Sequence, residues 1–336
     1  VAENKDNLPK VIQSLTEAAQ FELSTQEMTS FSDLSRLANA QEILRKIPLG
    51  YPSFDEMTQG GILRPSLMIV CGKPYTGKTQ VMLNIADNMA RMGYKVLYFS
   101  MELNNKLLMM RADAAVLGQH YQKIYLPENI EETKRLLKEE IQRRTGDVTV
   151  IKYPPGTSLS KIKIHCDIYR TVYGPFDAVM IDYLGLVTPS RIEDGMYKSG
   201  KAVAEELVTI AEDHDAAVIA AAQTTRSATN VSIHELDESH IGESWGIQQV
   251  GYDVVMLSKS SKSLISNKLH VKWVKNRSGG RLGVNSLYEI PNTFKLTDDL
   301  NMMFELSQKV GIQLLPEEVT ALMESARENQ GERARS

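Results

Sequence analysis

The chain opens with apolar residues near a 3.6-residue period. Val11, Ile12, Leu15, Ala18, Ala19 and Leu23 recur in this way, and Leu34, Leu37, Ile43 and Leu44 resume the pattern after the polar stretch Ser24–Ser32. This predicts helix over roughly residues 8–46, too thin to hold a core of its own. Pro48, Gly50 and Pro52 mark a boundary. Beyond it the pattern changes to short continuous apolar runs: Leu67–Cys71, Val96–Phe99, Val148–Ile151, Ala178–Ile181, Ala217–Ala221 and Val254–Leu257. Such runs suit strands covered on both faces. Amphipathic stretches lie between most of them, at Thr79–Met92, Glu131–Arg144, Ser160–Val172 and Lys201–Asp213. In the second of these, Glu131–Arg135, Glu139–Arg143 and Glu140–Arg144 are spaced four apart, as on a solvated helix. Alternating strand and helix predicts an α/β fold, a mostly parallel twisted sheet with helices on both faces. After Leu269 the style shifts. Leu269–Val274 and Leu282–Ile290 predict a hairpin or edge pair around Gly279–Gly280, and from Asn301 the tail reads as short helical pieces broken by Gly311 and Pro316. The predicted organisation is a helical docking segment (1–46), a motor-sized α/β domain (47–300) and a helical tail (301–336).

Composition narrows the function classes. Of 336 residues, 42% are hydrophobic and 24% charged, with a net charge of −4. That is a globular protein with ample core material, not a globally basic nucleic-acid coat. Cys71 and Cys166 are too few for a disulfide scaffold and form no paired metal-ligand spacing. No apolar run reaches the roughly 18 residues needed to span a bilayer, and the N-terminus lacks a signal peptide's apolar segment. The expected setting is a reducing cytoplasm, with no membrane partner.

The strongest chemical signal is Gly72-Lys73-Pro74-Tyr75-Thr76-Gly77-Lys78-Thr79, which fits G-x4-G-K-[ST]. The apolar run SLMIVC leads in and the amphipathic helix Thr79–Met92 leads out, as a phosphate cradle requires, so Gly72 through Gln80 are the candidate nucleotide-binding residues. Glycines let the backbone wrap an anion with its N–H groups turned inward, and the following helix adds its positive dipole end. Lys78 is placed to reach the β- and γ-phosphates of a nucleotide, and the Thr79 hydroxyl to hold Mg²⁺. Asp182 closes the apolar run Ala178–Ile181, where open α/β sheets place their ligands. Glu102 ends KVLYFSM and is a candidate to polarise an attacking water. Gln223 follows AVIAAA, where an amide can sense the γ-phosphate. Taken alone, each of the last two is equally a loop residue.

Between Asp253 and Glu289 no acidic residue occurs, while Lys259, Lys262, Lys268, Lys272, Lys275, Arg277 and Arg281 all fall there. From composition, three readings stand equal. They are a nucleic-acid surface, a cation reaching into a neighbour's nucleotide, and an edge hairpin whose lysines block aggregation.

The series GKPYTGKT, VLYFSMEL, VMIDYLGLV, AAAQTTRS, GESWGIQQ and VKWVKNRSGG resembles the motor domain of DnaB-like replicative DNA helicases. The approach KIPLGYPSFDEMTQGG fits as well, and the LYFSMEL and IDYLGLV blocks look most like the helicases of T-even-type phages. The resemblance covers roughly residues 45–290. It implies a RecA-like P-loop NTPase fold and a hexameric ring around single-stranded DNA, with ATP between subunits. It also implies 5′-to-3′ movement and contacts with primase and a helicase loader. Carried over by position, Lys78 and Thr79 bind phosphate and Mg²⁺, Glu102 activates water, Asp182 supports Mg²⁺ and Gln223 reads the γ-phosphate. Lys275 and Arg277, the K-x-R of VKNRSGG, become fingers toward the adjacent subunit's ATP. The residues before the motor resemble the family's linker helix.

Two segments are expected to face the DNA. One is Pro189–Lys201, with Arg191, Lys198 and Lys201. The other runs from about Thr225 to Gln248, with Arg226 and the block Glu243-Ser244-Trp245-Gly246. Many relatives carry a basic residue where this chain has Gly242, a departure that puts one phosphate contact in doubt. Two other readings keep the nucleotide site: a RecA-type recombinase filament, and a nucleotide-switched oligomeric scaffold that needs no DNA. The K-x-R and ESWGIQQ blocks favour the helicase over the first, and Glu102 as a base disfavours the second.

Overall fold

The computed structural model describes residues 45–190, 196–224, 249–259 and 267–309, with isolated positions besides. The chain divides into two units, Val1–Arg45 and Lys46–Ser336, and the fold here is that of the second. The N-terminal helical expectation lies outside the described residues.

In chain order the elements are β1 (Lys46–Ile47), α1 (Pro52–Met57), β2 (Ile62–Leu63), β3 (Ser66–Gly72), α2 (Lys78–Arg91), β4 (Lys95–Ser100) and α3 (Asn105–Leu117). Next come α4 (Ile130–Gln142), β5 (Asp147–Lys152), β6 (Thr157–Ser158), α5 (Leu159–Tyr173), β7 (Ala178–Asp182), β8 (Val187–Thr188), α6 (Met196–His214) and β9 (Ala217–Gln223). The described remainder is β10 (Asp253–Ser258), β11 (Lys268–Asn276), β12 (Gly283–Glu289), β13 (Leu296–Thr297) and α7 (Leu300–Lys309). A nine-stranded sheet runs β13-β12-β11-β10-β3-β9-β7-β4-β5. From β5 to β10 neighbouring strands are parallel, and β11, β12 and β13 are added antiparallel.

The inner parallel strands read as unbroken apolar runs because both faces are covered; β5, at the sheet's edge, departs from that expectation and is only half-buried. Along β3, Leu67, Ile69 and Cys71 enter one core, with Ile162 of α5 and Leu207 of α6, while Met68 and Val70 enter the other, with Met82 and Ile85 of α2. Each such fully buried aliphatic side chain contributes roughly 1.5–3 kcal/mol. Cys71 and Cys166 fill core positions, and burial pushes both thiols up to about 12. Trp273 of β11 is fully buried and meets Phe54 of α1 edge-on at 5.7 Å between ring centroids. Among the described residues no helix is long and apolar enough to cross a membrane.

Several elements differ from the sequence reading. Helix α3 was not anticipated. Asn104 caps it, accepting from the Leu107 N–H at 2.9 Å, but its apolar residues lie all round, without a stripe for periodicity to find. Helix α6 begins at Met196, not Lys201, so Lys198 and Lys201 lie on helix rather than loop. Gly200 disguised this, since glycine costs a helix about 1 kcal/mol. On α4 the ion pairs form with other partners. Glu131 pairs with Lys134 and Glu140 with Arg143, while Arg144 turns to Asp87 at 2.5 Å. The tail's first piece is the helix α7, which buries Met303 against Tyr288 and Ile290.

Candidate functional site

The phosphate loop joins β3 to α2. Gly77 at its end and Tyr75 at its tip take positive φ, 98° and 65°, the left-handed conformations that curl successive N–H groups to one side. Gly72 has no room for a side chain, because a Cβ there would lie 2.5 Å from the Thr76 hydroxyl oxygen. That hydroxyl donates to the Lys73 carbonyl at 2.7 Å and fixes the bend. Lys78 starts α2, and its ammonium donates to the Gly72 and Lys73 carbonyls at 2.9 Å each. Burial lowers its pKa, and the Asp182 and Glu102 carboxylates oppose that. A cation with little water around it, beside inward N–H groups and a helix N-terminus, makes a strong anion site.

The adjoining strand ends supply the other groups. Asp182, 1% exposed, ends β7. Burial raises its pKa, while hydrogen bonds from Thr79 and Tyr98 lower it; the Tyr98 hydroxyl donates at 3.0 Å. Its Oδ1 is buried without a hydrogen-bond partner. An orphaned carboxylate oxygen beside a threonine hydroxyl is a hard-oxygen donor set that fits Mg²⁺ sharing phosphate oxygens and water. Among the described residues no three His, Cys, Asp or Glu side chains cluster as a metal cage, so these donors would serve a metal only with a nucleotide. Glu102 does not end a strand: β4 stops at Ser100, and Glu102 stands exposed in the turn that follows. Gln223 ends β9 directly opposite Gly72, and the Thr224 N–H approaches the Gly72 carbonyl at 3.4 Å. The fold therefore gathers Lys78, Thr79, Glu102, Asp182 and Gln223 at the carboxyl ends of the central parallel strands.

The K-x-R pair lies toward the opposite end of the strands. Leu257 pairs with Gly72, whereas Asp253 pairs with both Met68 and Asn276. Four residues of rise put Asn276 about 13 Å down the sheet from the phosphate loop. Arg277 follows it, exposed and stacked on the Tyr252 ring at 5.4 Å. Its own phosphate loop is out of reach. The turn is built firmly. Asp253, fully buried, accepts from the Ser278 N–H at 3.1 Å and hydroxyl at 2.5 Å. The Asn276 amide donates to the carbonyls of Met57 and Arg281, at 2.8 and 2.7 Å. A Cβ on Gly279 would fall 2.1 Å from the Met57 carbonyl oxygen. These supporting residues were not found from the sequence; the acid opening a strand and the small residues of NRSGG were their only signal.

Other cations of the basic stretch are engaged within the chain. Lys259 pairs with Glu289 at 3.0 Å, Lys272 donates to the Leu236 carbonyl at 2.6 Å, and Arg281 meets Glu56 at 3.3 Å. Lys275, half-buried, donates to the Gln249 carbonyl at 3.4 Å. Of the expected DNA contacts, Lys201 pairs with Glu205 at 3.3 Å. Arg191, Arg226, Glu243, Ser244, Trp245 and Gly246, and the side chain of Lys198, lie outside the described residues, as does Lys262.

Comparison with known proteins agrees with this geometry. The family described as DnaB-like helicase C terminal domain matches residues 46–295. The replicative DNA helicase DnaC of Bacillus subtilis (strain 168) is 29% identical over 222 residues, 66% of this chain and 48% of that protein. The DnaB-like replicative helicase of Enterobacteria phage T4 is 24% identical over 250 residues, 70% of this chain and 51% of its own. The chain thus spans about half the length of these curated relatives. A solved DnaB-like replicative helicase, studied with its interactions with primase, superposes with a TM-score of 0.70 at 22% identity, covering 86% of this chain and 73% of that one. A solved ATPase domain superposes with a TM-score of 0.67 at 22% identity, covering 78% of this chain and 94% of its own. The fold is the RecA-like one the sequence led us to expect. By a match that spans the phosphate loop, the strand-end acids and the K-x-R turn, the chain belongs to the DnaB-like helicase C-terminal domain family.

Proposed function

We propose that this chain is the motor of a replicative DNA helicase, a ring that hydrolyses ATP between subunits to move along single-stranded DNA and part the duplex. The observation that carries the reading is the separation just described. The phosphate-binding groups lie at the carboxyl ends of the parallel strands and the K-x-R turn at their opposite end, beyond reach of its own nucleotide. Such a molecule completes its site only with a neighbour. Six-fold closure is the family's arrangement, and residues 1–46 are read as the segment that docks on the adjacent motor (47–300), with 301–336 as a tail.

In this mechanism the N–H groups of Tyr75, Gly77, Lys78 and Thr79 and the Lys78 ammonium hold the β- and γ-phosphates. The Thr79 hydroxyl and Asp182 carboxylate would hold Mg²⁺, which supplies charge neutralisation on the phosphate oxygens. Glu102 takes the proton of the attacking water. Lys275 and Arg277 of the next subunit stabilise the charge that develops on the γ-phosphoryl group. Gln223 hydrogen-bonds that group from its own subunit. Loss of the phosphate removes the contacts made by Gln223 and by the partner's fingers, so two subunits change arrangement and carry their DNA segments along. Arg191, Lys198, Lys201, Arg226 and the Glu243–Gly246 block are the proposed DNA contacts, with movement 5′ to 3′ on the encircled strand. Primase and a loader are the proposed partners.

The test is strand displacement on a forked duplex. The wild type displaces the strand only with ATP, and 5′- against 3′-tailed forks read the polarity. Glu102→Gln is expected to bind ATP as tightly as wild type yet turn it over on the order of 10²-fold more slowly or worse, with no displacement. Normal turnover by this variant removes Glu102 from its role. ATP turnover without displacement by the assembled wild-type ring counts against the helicase reading.

A further inference from the structure

Glu102 stands in a turn rather than on a strand, so something other than the sheet ladder must fix its carboxylate. The structure supplies that through Met101, the residue before it. The Met101 N–H donates to the Asp182 carbonyl at 2.9 Å. The Met101 carbonyl accepts from the Lys152 ammonium at 2.7 Å. The Ser100 hydroxyl, fully buried, donates to the Leu103 carbonyl at 3.1 Å and closes the turn. Lys152 ends β5, opposite Ser100 in the register, and Ser100 in turn lies opposite Asp182 on β7. The lysine on the edge strand therefore reaches across the end of β4, toward the same cluster that holds the Mg²⁺ donors. Its charge is felt there, since Asp182 and Glu102 are the carboxylates that favour its charged form, against a larger opposing effect of burial.

We propose that Lys152 is a positioning residue for Glu102. Its ammonium clamps the Met101 peptide from one side while the Asp182 backbone holds it from the other, which fixes where the water-activating carboxylate stands. The same ammonium offsets the repulsion that Glu102, in its turn, exerts on Asp182 at the end of β7. Lys152 touches neither nucleotide nor water in this arrangement; it acts through Glu102, and the inference rests on the reading of Glu102 as the base.

The test separates binding from turnover. Lys152→Met keeps the apolar stem and removes the donor and the charge. It is expected to lower kcat about ten- to hundredfold, the scale of a catalytic group displaced by about 1 Å. Affinity for a fluorescent, hydrolysis-resistant ATP analogue is expected to stay within about twofold of wild type, because a displaced base does not weaken ground-state binding. Lys152→Arg, which restores a cationic donor, is expected to recover most of the rate. If thermal unfolding shows Lys152→Met to be misfolded, Lys152→Gln takes its place. Wild-type kcat in the uncharged variant overturns the proposal. So does a loss of analogue binding that accounts for the whole rate defect, and so does Lys152→Arg as slow as Lys152→Met. Glu102→Gln measured in parallel tells the two ideas apart. If it is slow while Lys152→Met is fast, only the positioning inference fails; if it turns over normally, the base assignment fails and this inference falls with it.

Discussion

Lys78→Ala is expected to reduce ATP hydrolysis to background while the chain still folds. The lysine is only 8% exposed, and its ammonium donates to the Gly72 and Lys73 carbonyls, with no bonded acid among the described residues. Burial disfavours its charged form, so the folded state gains little from that charge. Alanine is the best helix former for the first turn of α2. The cost falls on the nucleotide. A cation held at the phosphates in a nearly water-free loop is worth several kcal/mol to the transition state, so a loss of at least about 10³-fold in rate is expected. Phosphate release at saturating ATP measures it, with thermal unfolding as the control. Retention of even a tenth of the wild-type rate would mean that the loop does not hold the hydrolysed phosphate.

Arg277→Ala is expected to act almost as strongly, by another route. Its side chain stacks on the Tyr252 ring, and the turn beneath is held by Asp253, Asn276 and Ser278 rather than by the arginine itself. Folding and ATP binding by each subunit should therefore survive. An arginine supplied in trans is worth 10³–10⁵ in turnover in related phosphoryl transfers, so a fall of about 10³-fold is expected for the assembled protein. Titrating Arg277→Ala into wild type at fixed total concentration gives the second readout. If each finger serves the next subunit's site, activity falls more steeply than the wild-type fraction where rings need every site. A variant that hydrolyses ATP at the wild-type rate would return the basic stretch to a solvated edge.

How much of this was legible in the residues depends on where each signal resides. The central strands were legible because burial on both faces leaves a continuous apolar run such as SLMIVCG, which no turn or solvated helix tolerates. The phosphate loop was legible because its glycines are dictated by geometry: a Cβ at Gly72 meets Thr76, and Gly77 is left-handed. Asp182 was legible as the polar end of an apolar run. Helix α3 was hidden because its apolar residues surround it. The start of α6 was hidden by Gly200. Lys152 was invisible for a different reason. Nothing near it in sequence marks it out, and its place beside Glu102 arises only from the register Ser100↔Lys152. The basic stretch was legible as a charge bias, but three physical readings fitted equally. The family resemblance favoured fingers, and strand register supplied the physical argument, by setting Asn276, the residue before Arg277, about 13 Å down the sheet from the phosphate loop.

The central claim is that DNA and ATP act on one machine. The most direct measurement is the steady-state ATPase rate with and without single-stranded DNA, with Lys78→Ala as the blank. The account predicts a clear rise with single strands that is absent in the blank, because the segments proposed to face DNA follow in sequence from β7 and β9, the strands that carry Asp182 and Gln223 at their ends. A rate indifferent to DNA, in a preparation shown to form rings, would contradict it.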